Sequence, residues 1–238
     1  MFPAAGMPVR SKDLHGSAPD SGPVALLLID VINDFEFEGG ASLFRHAKPM
    51  AKRIAALKER CQRAGIPVVY VNDNFGLWRS DFGSVVKHCR RDGVRGAPIA
   101  ASLLPGEHDY FVLKPRHSGF YATTLEILLE HLGARTLILT GVAGDNCVFF
   151  TANDAYLRSY EIVVPRDCVA SIDARNNAAA LKHMERVLKV DTRASSSVDL
   201  AALKRRSRAE SSTKAMRAPR PGPSRGSRVR PRPRTKPR

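Results

Sequence analysis

Arg135-Thr-Leu-Ile-Leu-Thr140, followed by Gly141-Val-Ala-Gly-Asp-Asn-Cys147-Val-Phe-Phe150, is the stretch whose reading decides the fold. Its first six residues form an apolar, β-branched run, the pattern of a strand buried on both faces of a parallel sheet. From Cys147 to Arg158 there is no Gly or Pro, and apolar residues recur at helical spacing, so a helix is predicted there. Two glycines and the Asp145-Asn146 pair make the turn between them, and either Asp145 or Asn146 suits the N-cap. A thiol is thereby placed at a helix N-terminus, just past the C-terminal end of a central strand. Open α/β sheets bind their ligands at that edge. The helix dipole and unpaired N–H groups there depress a thiol pKa from its free value of about 8.5. Position alone leaves a second reading open, in which Cys147 is a small buried residue packing the helix onto the sheet.

Working outward, Val24–Ile29, Pro67–Val71, Asp109–Leu113 and Glu161–Pro165 read as further strands, with the turn residues Asn72-Asp73-Asn74 after the second. Helices are predicted from about Pro49 to Ala64, over Thr123–Leu132 with Gly133 as its stop, and over Asp173–Leu188. Phe75 to Pro98 is Arg-rich and weakly periodic, read as a helix with irregular flanks over the active edge. Strands alternating with helices give an α/β class: a doubly wound, three-layer α/β/α domain with a central, mostly parallel sheet. The expected organisation is a loose N-terminal arm over 1–22, one domain over 23–193, and a basic, disordered tail over 194–238 rich in Arg, Pro, Ser and Gly.

The formal net charge of +15 belongs to that tail. Of 38 basic residues, 14 fall between Lys204 and Arg238 against one acid, Glu210, which leaves 24 basic and 22 acidic residues elsewhere. The tail therefore suits weak, sequence-blind, salt-dependent contact with nucleic acid, although it has no aromatic residue for base stacking. Four widely spaced cysteines (Cys61, Cys89, Cys147, Cys168), with no Cys-x-x-Cys pair, point to free thiols in a reducing compartment. No apolar run reaches the roughly 20 residues of a membrane span. The N-terminal residues lack the apolar core of a secretory signal, so a cytoplasmic protein is expected.

Three ionisable residues fall at the C-terminal ends of predicted parallel strands: Asp30, Lys114 and Cys147. Taken singly, Asp30 reads as a loop cap, Lys114 as a surface lysine and Cys147 as core. Their joint placement on one crevice changes the balance. A carboxylate takes a thiol proton as general base and returns it to a leaving amine. An ammonium lowers a thiol pKa and stabilises negative charge. The backbone N–H groups of Ala143 and Cys147 suit an oxyanion hole. Phe35, Trp78 and Tyr121 follow the strand-end motifs and are candidates to line a small apolar substrate pocket, although each residue type is more often core.

Leu27-Leu-Ile-Asp30-Val-Ile-Asn-Asp34-Phe35, Val112-Leu-Lys114-Pro-Arg-His-Ser118-Gly-Phe120 and Thr140-Gly-Val-Ala-Gly-Asp-Asn-Cys147-Val together resemble the isochorismatase-like cysteine hydrolases, over roughly Val24 to Val190. Nicotinamidase, N-carbamoylsarcosine amidase, maleamate amidohydrolase and isochorismatase are members. The resemblance implies Asp30 as base, Lys114 as electrostatic partner and Cys147 as nucleophile. It implies a cis peptide at Val142–Ala143, which serves to aim backbone N–H groups at the oxyanion, and a homo-oligomer. Nicotinamidases follow the second strand with an Asp-x-His metal motif; here that stretch is Asp73-Asn74-Phe75, so no metal and no cofactor is expected. The glutamine usual in the first motif is Ile32. Isochorismatases proper lack the nucleophilic cysteine, so its presence favours C–N hydrolysis over vinyl-ether cleavage. The expected activity is hydrolysis of a small amide, ureide or carbamoyl compound through a Cys147 thioester. The alternatives are an isochorismatase-type hydrolase of a small metabolite, a nucleic-acid-associated protein acting through its tail, or an idle relative that only binds a ligand.

Overall fold

A computed structural model describes residues 22–76 and 81–217. The expected N-terminal arm therefore lies outside the described residues, apart from Gly22, as do Trp78 and the chain from 218 on. β1 (Val24–Ile29) is buried along its whole length. Its alternate side chains serve opposite faces: Val24, Leu26 and Leu28 enter one apolar cluster, Ala25, Leu27 and Ile29 the other. A strand with no wet face needs cover on both sides, and the helices supply it.

The first cluster takes in the buried face of α1 (Gly40–Arg63), with residues of α2 (Phe82–Cys89) and α3 (Ala97–Ser102). The second takes in α4 (Leu125–Leu132), α5 (Cys147–Leu157) and α6 (Ala174–Leu188). Between them β1, β2 (Val68–Asp73), β3 (Tyr110–Lys114), β4 (Thr136–Val142) and β5 (Glu161–Val163) pair in parallel in the order β3-β2-β1-β4-β5. This is the doubly wound, three-layer α/β/α architecture predicted from the strand–helix alternation. Register aligns the strand ends that matter: Ile29 faces Val71 on one side and Gly141 on the other, and Asp73 faces Lys114.

Four features depart from the sequence reading. Helix α1 begins at Gly40, not near Pro49, and Pro49 lies inside it. Gly40 looked like loop, but it is a glycine because a Cβ there would lie 2.2 Å from the Phe35 carbonyl oxygen. The Arg-rich segment after Phe75 forms two short helices, α2 and α3, where one was expected. A sixth strand, β6 (Val169–Ala170), pairs with Gly141 and Val142 and is too short to show any periodicity in sequence.

The fourth departure is the largest. Disorder does not begin at Ala194: a 3-10 turn (Ser195–Ser197) leads into α7 (Leu200–Arg217), and Val198, Leu200 and Leu203 are buried in the first apolar cluster. Composition missed this because three apolar side chains are diluted among arginines. Burial of those three residues, with the Arg60 guanidinium donating to the Ser195 and Val198 carbonyls at 2.8 and 2.6 Å, anchors the segment. Two basic side chains are also spent on the fold, Arg206 on Glu161 and Lys204 on the Ala64 carbonyl. Leu203→Ala should cost about 2–3 kcal/mol in urea unfolding. A detached tail would give no change.

Among the described residues no helix is long and apolar enough to cross a membrane.

Candidate active site

The chain leaves β1 at Asp30 in the left-handed region, φ 50°, which turns it off the strand while its N–H still bonds the Val71 carbonyl at 2.9 Å. Its carboxylate is engaged at both oxygens. Oδ1 accepts from the Asp73 N–H at 2.7 Å, and Oδ2 lies 2.8 Å from Lys114 Nζ. Lys114 is fully buried, and its Nζ also lies 3.4 Å from Asp73 Oδ2 and 3.6 Å from Cys147 Sγ. The structure thus brings Asp30, Lys114 and Cys147 together at the C-terminal edge of β1, β3 and β4.

The turn before the thiol is held from the next layer of the sheet. Gly141 has φ 112°, and a Cβ there would lie 1.9 Å from the Ile29 carbonyl oxygen, so only glycine lets β4 pass β1 so closely. The Gly141 N–H donates to Cys168 O, the Gly144 N–H to Ala170 O and the Asp145 N–H to Ser171 Oγ. The Val142–Ala143 peptide is cis. Asn146 occupies the N-cap of α5 but its side chain makes no capping bond. The N–H groups of Asn146 and Val148 both go to the Ala143 carbonyl. Those of Ala143, Cys147 and Phe149 are left without an intramolecular partner among the described residues, and the first two flank the turn that carries the thiol, where a ligand oxygen can accept from them.

The electrostatics correct one expectation. Burial pushes the Cys147 thiol up to about 12, the neighbouring Asp30 carboxylate adds to the rise, and Lys114 offsets only part of it. The thiol is therefore not depressed in the resting site. Desolvation, which a sequence does not show, outweighs the ammonium. Burial raises Asp30 above the ordinary carboxylate range, against the lowering effect of Lys114. For Lys114, burial alone would lower the pKa, but Asp30, Cys147 and Asp73 overcome it and the net shift is upward. A raised thiol pKa means less thiolate at every lower pH. Iodoacetamide should accordingly alkylate Cys147 of the free protein more slowly than an exposed thiol at about pH 8, with a rate still climbing at about pH 10. A plateau at or below neutral pH would show that the thiol is depressed after all.

Two neighbours escaped the sequence reading. Asp73 ends β2 as the others end their strands, although in sequence it reads as part of the turn Asn72-Asp73-Asn74 and of the stretch that corresponds to the nicotinamidase metal motif. His117 sits three residues past Lys114, with Nδ1 4.0 Å from Cys147 Sγ and its ring stacked on Phe150 at 5.5 Å. The proposed pocket residues divide. The Phe35 ring is core, fully buried and edge-on to Phe44, because φ 58° folds that residue back under α1. Tyr121 is 60% exposed and lines a cavity of about 300 Å³ with Arg116, His117, Ser118, Phe150 and Asp154. Trp78 lies outside the described residues. Phe75 stands where the metal motif of nicotinamidases has its first histidine, and among the described residues no group of three His, Cys, Asp or Glu side chains is arranged so that it could hold a metal ion.

A parallel three-layer α/β/α domain with a carboxylate, a buried lysine and a thiol meeting at its strand ends defines a hydrolase by class. Residues 24–195 match the family model described as Isochorismatase domain. The chain is 43% identical over 164 residues to the uncharacterized isochorismatase family protein YaaI of Bacillus subtilis, covering 69% of this chain and 90% of that protein. It is 29% identical over 192 residues to the ureidoacrylate amidohydrolase RutB of Methylorubrum extorquens, covering 69% and 75%. Among solved structures, N-carbamoylsarcosine amidase from Thermoplasma acidophilum superposes with a TM-score of 0.57 at 29% identity, covering 74% of this chain and 98% of that one. The chain belongs to the isochorismatase family.

Proposed function

We propose that the protein is an amidohydrolase that cleaves the C–N bond of a small amide, ureide or carbamoyl compound through a thioester on Cys147. The observation that carries this reading is one buried lysine within 2.8 Å of a carboxylate oxygen and 3.6 Å of a thiol sulfur. Similarity to proteins named as an amidohydrolase and an amidase supports it.

In this mechanism the thiol stays protonated until substrate arrives. Asp30, whose burial favours its protonated form, takes the Sγ proton as sulfur attacks the carbonyl carbon. Lys114 holds Asp30 in place and balances negative charge as it passes from carboxylate to sulfur to oxyanion. The Ala143 and Cys147 N–H groups receive that oxyanion. Asp30 then returns the proton to the leaving nitrogen, the C–N bond breaks, and an acyl thioester remains for water to hydrolyse. Coupling thiol deprotonation to attack keeps a charged thiolate out of a dry site, which suits a thiol raised to about 12.

A panel of small primary amides and ureides, screened for ammonia release and then acid-quenched for intact mass, should yield a compound that is hydrolysed and leaves its acyl group on Cys147. Hydrolysis that leaves the acyl group on another residue, or on none during the first turnover, overturns the thioester.

A further inference from the structure

The Lys114 ammonium has three N–H donors, and three acceptors stand around it: Asp30 Oδ2 at 2.8 Å, Asp73 Oδ2 at 3.4 Å and Cys147 Sγ at 3.6 Å. It is fully buried, so its charge is divided among these partners and little of it is screened by water. Asp73 touches both other charged groups. Its N–H donates to Asp30 Oδ1 at 2.7 Å, and its carboxylate is turned to the ammonium. That carboxylate is itself held, because Oδ1 accepts from the Phe75 N–H at 2.6 Å and leaves Oδ2 for Lys114. Register sets Asp73 opposite Lys114, and its side chain is 35% exposed where that of Asp30 is 7% exposed. The other titratable groups facing the thiol are Asp30 from the end of β1 and His117 from the loop after β3. The thioester mechanism assigns Asp73 no step.

The geometry points to Asp73 as a positioning residue that acts through Lys114: it draws part of the ammonium's charge away from sulfur and so holds Cys147 as a thiol until substrate arrives. This rests on the thioester reading for its purpose, since that attack needs the Sγ proton still in place for Asp30 to take. The physical cause is competition. A carboxylate oxygen 3.4 Å from Nζ and a sulfur 3.6 Å from it draw on the same positive charge. Once two carboxylates share one cation, a third anion beside them is opposed. That adds a reason why Lys114 offsets only part of the rise that burial and Asp30 impose on the thiol.

The test reads the thiol directly and needs no substrate: the full chain is alkylated with iodoacetamide, and peptide mass locates the label on Cys147. The other three cysteines are buried. Asp73→Asn keeps an oxygen for Lys114 and removes the charge, so alkylation at about pH 8 should be roughly tenfold faster than in wild type. Asp73→Ala, which removes the acceptor as well, should change the rate in the same direction. Asp73→Glu disturbs the packing but restores the charge, and should stay near the wild-type rate. Equal rates in wild type and Asp73→Asn overturn the role, and so does an Asp73→Glu protein as fast as Asp73→Asn, which would show a loosened site. A wild-type thiol already at its plateau at neutral pH overturns it too. None of these outcomes uses an acyl group, so a protein that follows this pattern yet never carries acyl on Cys147 loses the thioester and keeps the restraint.

Discussion

Replacing Cys147 by alanine should abolish hydrolysis of any amide the protein turns over, by on the order of 10⁴-fold or more, while leaving the fold intact. The reasoning is specific to this site. The thiol is part-buried rather than sealed in the core, and it packs at the edge of the second apolar cluster. Losing one sulfur there removes little buried area, and the alanine fits the helix. Under the proposed mechanism it removes the sulfur that forms the thioester, with the proton that Asp30 takes. Circular dichroism and a urea midpoint within about 1 kcal/mol of wild type would confirm the fold. Near wild-type ammonia release from a folded Cys147→Ala protein would reject the mechanism outright.

Lys114 should behave differently, because it has structural and chemical roles at once. It is fully buried between two carboxylates, at 2.8 Å from Asp30 and 3.4 Å from Asp73. Removing one partner of a buried pair leaves charge with no compensation, so Lys114→Met should cost about 3–5 kcal/mol of stability as well as activity. Asp30→Asn should also abolish turnover, but at a smaller cost to stability, since Lys114 keeps Asp73 and the amide oxygen can still accept from the Asp73 N–H. The double variant should be less destabilised than the two single losses combined, which is the signature of direct coupling. Equal melting of Lys114→Met and wild type would mean that the ammonium is not committed to these carboxylates. Loss of stability without loss of activity would remove Lys114 from the chemistry and leave it a purely structural cation.

The sequence by itself determined the sheet and the rim on which the site lies. Runs such as Val24–Ile29 and Thr136–Val142 are apolar on both faces, and such strands are stable only under helices on both sides, so alternation fixed the class of fold. In a parallel sheet every strand ends on the same side, so residues as far apart as Asp30, Lys114 and Cys147 were legible as neighbours before any distance was known. Four things were decided only by tertiary structure. The thiol's state depends on how much water the folded site excludes, and that desolvation outweighs the nearby ammonium. Asp73 joins the cluster through the register of β2 on β3, which no local pattern encodes. His117 reaches the sulfur because a loop is tied to α5, not because of its spacing from Cys147. And α7 is part of the fold because Leu200 and Leu203 find a complementary apolar surface, a property of the rest of the domain and not of the arginine-rich segment that carries them.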